Sequence, residues 1–334
     1  MTPQALLTHL DQGQLWPHPP SAAPGFDTGQ AYQQALSVRA LREQRGEQPR
    51  GFKIGFTNRT IWPLYQVFAP IWGTVWDTTL QVCEGQGRLS LDATCQPRLE
   101  PEVVFGLART PPKGADLAAL FDSIDWIAPG FEVVQSHLPD WKFQASDTIA
   151  DSGLHARLLV GRRVPLRAIA ASANELDTLL ANMTMRLRQD QTEVASGSGR
   201  HVLDSPLRAL HYFMQELRAC PGAPDLAPGD VITTGTWTDA FPIASGQHWT
   251  ADFPAPGGER EVALCRHGGG RATEACEKAG TSYTARVPGA GLASKPCPVH
   301  GGRVLEEKRS GGENGRGFSG LLKSFFGSEP AGRR

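Results

Sequence analysis

The chain of 334 residues carries 33 Lys and Arg against 34 Asp and Glu, with 40% apolar and 20% charged residues. That length suits one large domain with additions or two ordinary ones, and a formal charge of −1 provides no global basic field for nucleic acid or an anionic membrane. No run approaches the roughly 18 apolar residues of a membrane span, and Met1-Thr2-Pro3-Gln4-Ala5-Leu6-Leu7 lacks the basic start and long apolar core of a secretory signal, so a cytoplasmic chain without an integral membrane segment is expected.

Residues 1–50 read as a helical segment, because Ala31, Ala35, Leu36, Val38 and Leu41 approach helical spacing after a break at Pro17-His18-Pro19-Pro20. From residue 51 the texture changes to short β-rich runs bounded by Gly, Pro and Asp. Strands are expected at 51–56, 99–107, 131–134, 158–160, 183–188, 231–234 and 248–253. Helices are expected at 117–127 and 206–217, the second following Asp204-Ser205 as a cap with Pro206 in its first turn. The body, 51–265, is thus α+β and built on a rolled or sandwiched sheet.

Beyond Cys265 the chain holds 12 Lys or Arg against 6 Asp or Glu, and 15 of its 37 glycines. So little apolar patterning cannot offset the entropy of ordering, and 266–334 is expected to be a mostly disordered tail. Cys297-Pro298-Val299-His300 with Cys265, Cys276 and His267 matches no usual zinc spacing, and the six cysteines read as free thiols. Phe318, Leu321, Leu322, Phe325 and Phe326 form a short apolar stripe at helical spacing.

The chemistry concentrates in the body. Glu100 and Glu102 open an apolar strand pattern, and residues two apart on a strand project to one side. Adjacent carboxylates repel, so the pair either faces bulk water or binds a cation. Glu132, inside Phe131-Glu132-Val133-Val134, is a charge in an apolar run and needs a partner. Three carboxylates would leave three positions of an octahedral Mg²⁺ or Mn²⁺ for water and substrate. Lys53, between Phe52 and Ile54, is either a lysine on the outer face of an edge strand or the charge that balances three carboxylates and a divalent ion. Asp77 could orient Lys53 or a water, or belong to a turn.

Gly51 to Asn58, Gln96 to Val103, Phe131 to Val134, Asp140-Trp141-Lys142 with Asp147 to Asp151, and Gly229 to Gly235 occur in the order seen in 2-keto-4-pentenoate hydratases. Over about residues 25–265 the chain resembles these enzymes and the related 4-oxalocrotonate decarboxylases of the fumarylacetoacetate hydrolase superfamily. The resemblance implies a fumarylacetoacetase-like mixed sheet roll, a Mg²⁺ or Mn²⁺ ion on Glu100, Glu102 and Glu132, and Lys53 as the acid–base group with Asp77 as a second candidate. It places Lys142, Asp151, Ser152 and Thr234 among substrate-binding residues, with Lys142 the candidate cation for a distal carboxylate.

The chain departs from the hydratase pattern at Ile71-Trp72-Gly73, where an acidic residue is usual first, and at Asp151-Ser152-Gly153-Leu154, where Asp-Asn-Ala-Ser is usual. Ser152 or His155 could stand in for a missing group, and apolar Ile71, Trp72 and Leu154 would suit an uncharged substrate tail. The expected function is hydration of 2-hydroxypenta-2,4-dienoate in aromatic catabolism. Decarboxylation of 2-oxo-3-hexenedioate stands second, and a weakly catalytic scaffold for such enzymes is the alternative of another class. Expected partners are a small 2-oxo acid, further copies of the chain in a homo-oligomer and a related hydratase or decarboxylase, with no nucleic acid.

Overall fold

A computed structural model of the protein describes residues 1–253 and the backbone of residues 281–286. In chain order its strands are β1 (Pro49–Gly55), β2 (Ile71–Trp76), β3 (Leu80–Val82), β4 (Gln86–Arg88), β5 (Arg98–Leu107), β6 (Ile124–Val134), β7 (His155–Val160), β8 (Val164–Pro165), β9 (Thr184–Gln189), β10 (Thr192–Ser198), β11 (Val231–Thr233), β12 (Phe241–Pro242), β13 (His248–Phe253) and β14 (Thr281–Arg286). The helices are α1 (Pro3–Gln12), α2 (Thr28–Gln44), α3 (Trp62–Tyr65), α4 (Leu117–Phe121), α5 (Ala145–Ala150), α6 (Ala173–Asn182) and α7 (Pro206–Ala219).

The described strands form two sheets. One has the order β2-β1-β11-β5-β6-β7-β3, with β12 also joined to β5 and β8 to β6; the other runs β10-β9-β13-β14-β4. The first sheet is mixed, since β1 runs parallel to β11 and β3 parallel to β7 while the other pairings are antiparallel. This is the α+β mixed sheet that the sequence leads one to expect. Strand β14 comes from within the segment assigned by composition to the tail, and it pairs with β13 and β4. The remainder of 266–334, with the Cys/His group and the apolar stripe near its end, lies outside the described residues.

Alternation along β5 separates two environments. Leu99, Val103, Phe105 and Leu107 point into the main core, together with Phe131 and Val133 of β6 and the apolar face of α7. That face follows from sequence: Ser205 caps the helix at the Arg208 N–H, Pro206 occupies its first turn, and Leu207, Leu210, Phe213, Met214 and Leu217 recur on one side. Val104, Ala128, Leu158, Val160, Val75 and Val231 form a smaller cluster on the opposite face of the sheet. A third cluster binds the N-terminal segment to the body through Leu6, Trp16, Ala31, Val38, Ile71, Leu138 and Ile149.

Two element expectations need correction. The helix expected at 117–127 ends at Phe121, and residues 124–127 extend β6, because ladder pairing of Ile127 with Phe105 and of Trp126 with Gly106 outweighs a marginal helical pattern. Helix α6, capped by Ser172 on the Glu175 N–H, falls where no helix is expected, its interior being only Leu176 and Leu180 with Asp177.

Close approach of β2 to the turn at 152–154 depends on Gly73, where any Cβ would overlap the Ser152 carbonyl. Gly73→Ala is therefore expected to cost about 1–3 kcal/mol, as overpacking against backbone does. Urea denaturation would show it as a lower midpoint at an unchanged slope; an unshifted midpoint would mean that this contact gives way freely.

Candidate active site

The site grows from the pairing of β5 with β6. Glu100 lies directly opposite Glu132 in the ladder, and Glu102 lies opposite Gly130. Both strands alternate in phase, so Glu100, Glu102 and Glu132 emerge on the face opposite the main core, and one carboxylate oxygen from each lies within 4.8 Å of the others. Like charges directly across a ladder are unfavourable, so the register itself calls for a cation.

Lys53 supplies part of it. Phe52 and Ile54 turn into the main core, which sends Lys53 to the opposite face, and its Nζ lies 3.5 Å from Glu132 Oε2. In the sheet order β11 and β5 separate β1 from β6, a spacing of roughly 14 Å between strand axes if the sheet were flat. Curling of the sheet closes that gap. The stem of Lys53 runs beneath the 152–154 turn, where a Cβ on Gly153 would come within 3.1 Å of Lys53 Cδ.

Burial works against the charge on every member of the group. In Glu100 it prevails, raising the carboxyl to about 7 despite attraction from Lys53, with Glu132 adding to the rise. Glu102 is raised well above the carboxylate range by burial and then by its neighbours Glu132 and Glu100. Glu132 is lowered, because Lys53 and a hydrogen bond from His155 outweigh its burial. Lys53 is raised: burial opposes its charge, but Glu132, Glu100 and Glu102 together win.

The carboxylates are held from behind. Glu102 Oε2 accepts the Gly235 N–H at 2.7 Å, while its Oε1 is buried with no hydrogen-bond partner among the described residues. Glu132 meets His155 Nδ1 at 2.8 Å and the Thr233 hydroxyl at 3.4 Å. Burial lowers the pKa of His155, so the neutral ring donates from Nδ1 and receives the Thr79 hydroxyl at Nε2, 2.9 Å away. An orphaned buried oxygen beside two more carboxylates, with Glu102 and Glu132 anchored from outside, is a donor set that fits a hard divalent cation.

His155 and Thr233 act on Glu132 in ways that spacing did not reveal. The side chain of His155 reaches Glu132 only because a register shift separates the pairings of Val133 and Val134 with β7. A bulge of this kind leaves no mark in the hydrophobic pattern.

Other expected site residues are placed elsewhere. Asp77 is exposed in a turn, where its Oδ1 accepts the Gln48 and Thr78 N–H groups, so it is not positioned as an acid–base group. Lys142 is 82% exposed and pairs with Asp140 at 3.7 Å. Both oxygens of Asp151 are taken by His137, through its ring Nδ1 at 2.6 Å and its backbone N–H at 3.0 Å. The Thr234 hydroxyl donates to the Val103 carbonyl, tying β5 to the end of β11. Ser152 stands in the turn that covers Lys53, with its backbone at positive φ and its carbonyl against Gly73. Ile71 and Trp72 fill cores, Ile71 with the N-terminal helices and Trp72 stacked on Tyr32 at 4.6 Å.

An aromatic series borders the same region. Phe56 stacks on Tyr65 at 4.8 Å, Tyr65 on Phe143 at 5.7 Å, and Phe143 lies 6.1 Å from Trp141. The Arg98 guanidinium rests over the Trp141 ring, 4.2 Å from its centroid.

Residues 78–286 match the family described as fumarylacetoacetate (FAA) hydrolase, C-terminal. Among curated proteins the chain is 30% identical over 229 residues to a 2-hydroxyhexa-2,4-dienoate hydratase of Comamonas testosteroni, covering 68% of this chain and 82% of that protein. It is 29% identical over 207 residues to a 4-oxalocrotonate decarboxylase of Pseudomonas sp, covering 62% and 75%. A solved structure of 4-oxalocrotonate decarboxylase from Pseudomonas putida G7, complexed with magnesium and adipate, shares the fold with a TM-score of 0.67 at 23% identity, covering 85% of this chain and 97% of that one.

The raised Glu100 gives a signed expectation. Its folded value of about 7 lies above the ordinary 4.5, so the metal-free fold keeps a proton that the unfolded chain releases. That stabilisation is complete below about pH 4.5 and is lost as pH rises through 7. Melting in a chelator should therefore fall between pH 5 and pH 8, and Mn²⁺ should raise the melting temperature more at pH 8 than at pH 6. Equal Mn²⁺ shifts at both values would exclude a proton held at this site.

Proposed function

The chain belongs to the fumarylacetoacetate hydrolase family, and on that premise we propose that it is a Mg²⁺- or Mn²⁺-dependent lyase that adds water to a 2-hydroxydienoate, such as 2-hydroxypenta-2,4-dienoate, giving a 4-hydroxy-2-oxo acid. One observation carries this reading: three carboxylates, two of them fully buried, converge beside a buried lysine, with one carboxylate oxygen lacking any partner among the described residues. Glu100, Glu102 and Glu132 would hold the ion. When bound, it supplies Lewis acidity that draws electrons from the conjugated chain towards the 2-oxygen.

The remaining work falls to the chain's own groups. Lys53 is only 2% exposed, so its Nζ exchanges a proton with whatever occupies the site rather than with bulk water. Held charged by the glutamates, it is placed to protonate the carbon chain of the dienol and to recover a proton as water adds. His155 keeps Glu132 in one orientation, and the Gly235 N–H does the same for Glu102. Gly235 itself has a φ of +104°, and a Cβ there would overlap Thr57, so this donor position requires glycine.

A second reading, decarboxylation of a 2-oxo-enedioate, uses the same residues, with Lys53 returning a proton to the carbon that loses CO₂. It is favoured by a guanidinium, that of Arg98, on the strand face that carries Glu100 and Glu102. Aromatic catabolism is the setting consistent with either reaction.

Lys53→Met is expected to lower turnover by about 10²-fold or more while Mn²⁺ still binds, whereas Glu102→Gln loses Mn²⁺ affinity with the fold retained. Consumption of the dienoate absorbance in Mg²⁺ checks the first variant and calorimetric Mn²⁺ titration the second. Full activity in Lys53→Met would remove its acid–base role, and a dienoate left unchanged with every divalent ion would favour a non-catalytic scaffold.

A further inference from the structure

We propose that Asp151, gripped by His137, is a positioning residue that holds the 152–154 turn over Lys53 and so keeps bulk water from its Nζ. The inference deepens the reading of Lys53 as the acid–base group and rests on it. Lys53 lies directly opposite Gly73 in the ladder of β1 and β2, and the turn closes over that pair, with the Ser152 carbonyl against Gly73 and Gly153 above Lys53 Cδ. The turn is the cover of the lysine.

This cover is not a conformation that the chain adopts by itself. Ser152, Gly153 and Leu154 have φ values of +54°, +65° and +68°, a left-handed run that is costly at both non-glycine residues and persists only where the surroundings over-determine it. At the far end of the turn the Leu154 N–H donates to the Asp151 carbonyl at 2.8 Å, and the Leu154 carbonyl accepts the Gln135 N–H at 2.9 Å. At the near end the tie is the Asp151 carboxylate. His137 takes both of its oxygens, Oδ1 through the ring Nδ1 at 2.6 Å and Oδ2 through the backbone N–H at 3.0 Å.

His137 is itself anchored. It follows the end of β6, is fully buried, and its ring stacks on Trp16 with centroids 5.6 Å apart, while its carbonyl accepts the Trp16 N–H at 2.7 Å. Its Nε2 has no partner among the described residues, so the hydrogen bond that orients the ring is the one to Asp151. Asp151 also caps the end of α5, whose Asp147 carboxylate accepts the Ser21 N–H and the Ser21 hydroxyl, each at 2.8 Å. The N-terminal segment thus braces both His137 and α5, and the His137–Asp151 pair passes that rigidity to the turn.

Reductive methylation of the full chain with formaldehyde and a borohydride tests the proposal, read at Lys53 by mass spectrometry with the exposed Lys142 as internal standard. His137→Phe keeps a ring beneath Trp16 but deletes the donor, and Asp151→Ala deletes the acceptor. Each is expected to speed labelling of Lys53 about tenfold or more, the scale of a lost hydrogen bond to a charged group, and to lower kcat on the dienoate while Mn²⁺ affinity holds. Should one of the two not fold, the other decides. Asp151→Asn can still accept the His137 N–H and donate to Nδ1 of the other ring tautomer, so Lys53 should stay protected. Leu176→Ala, a core truncation in α6, should lower stability without changing the labelling of Lys53. Unchanged labelling in the loss variants, or equal exposure of Lys53 in Leu176→Ala, overturns the role of the pair and leaves that of Lys53 standing. Full turnover by Lys53→Met removes the acid–base reading and this inference with it, whatever the labelling.

Discussion

Charge balance among Glu100, Glu102, Glu132 and Lys53 is the constraint on which the rest of the site depends. Three carboxylates on one sheet face, two of them directly opposed across a ladder, would be mutually repulsive in water and more so when buried. One lysine offsets part of that charge, and the raised values of Glu100 and Glu102 show that it does not offset all of it. A group that can relieve its remaining strain only by taking up protons or a cation is built for exchange. The same imbalance that is unfavourable for folding would provide affinity for the divalent ion proposed for this site.

Holding such a group in place needs supports that are themselves uncharged or neutralised. The Gly235 N–H, the Thr233 hydroxyl and a neutral His155 approach the carboxylates from behind and leave their inner oxygens facing one another. Behind His155 the Thr79 hydroxyl fixes the ring, and Thr79 also accepts the Trp76 N–H at the end of β2. Arg42 of α2 stacks on Trp76 at 4.4 Å and pairs with Glu47, so the N-terminal helices brace the strand end that the histidine leans on. Asp151, although close in sequence to Ser152 and the Lys53 turn, belongs to this scaffold through its bond to the buried His137.

Two differences from the hydratase pattern acquire a physical meaning in this setting. Ile71-Trp72-Gly73 places apolar residues where an acid is usual, and both side chains serve packing, Ile71 beneath the N-terminal helices and Trp72 between Tyr32 and Phe52. At 151–155 a histidine begins β7 and reaches the face that carries the three glutamates, giving Glu132 a ring donor. The glycine retained in the first motif is explained by close backbone approach, since β2 must pass against Ser152 to bring the covering turn over Lys53.

The amino-acid pattern alone determined much of this. Period-two alternation in 99–107 is enough to put Glu100 and Glu102 on one face, and the isolated charges of Lys53 and Glu132 within apolar runs mark them as residues needing partners. The capped helix at 206–219 is legible for the same reason, being a local pattern of apolar spacing and end signals. Contacts between elements distant in sequence were decided by tertiary structure: ladder register set Glu132 opposite Glu100, curling of the sheet brought Lys53 across two intervening strands, and a bulge turned His155 toward Glu132. The partners of Asp77, Asp151 and Thr234 are not legible in the sequence, because residue type and motif do not reveal which groups will claim a side chain. Arg98 has the pattern of a solvent-facing strand-end arginine, and only the folded chain lays Trp141, more than forty positions along, against its guanidinium. Local periodicity reports which face a side chain takes, and only the folded chain reports what that face meets.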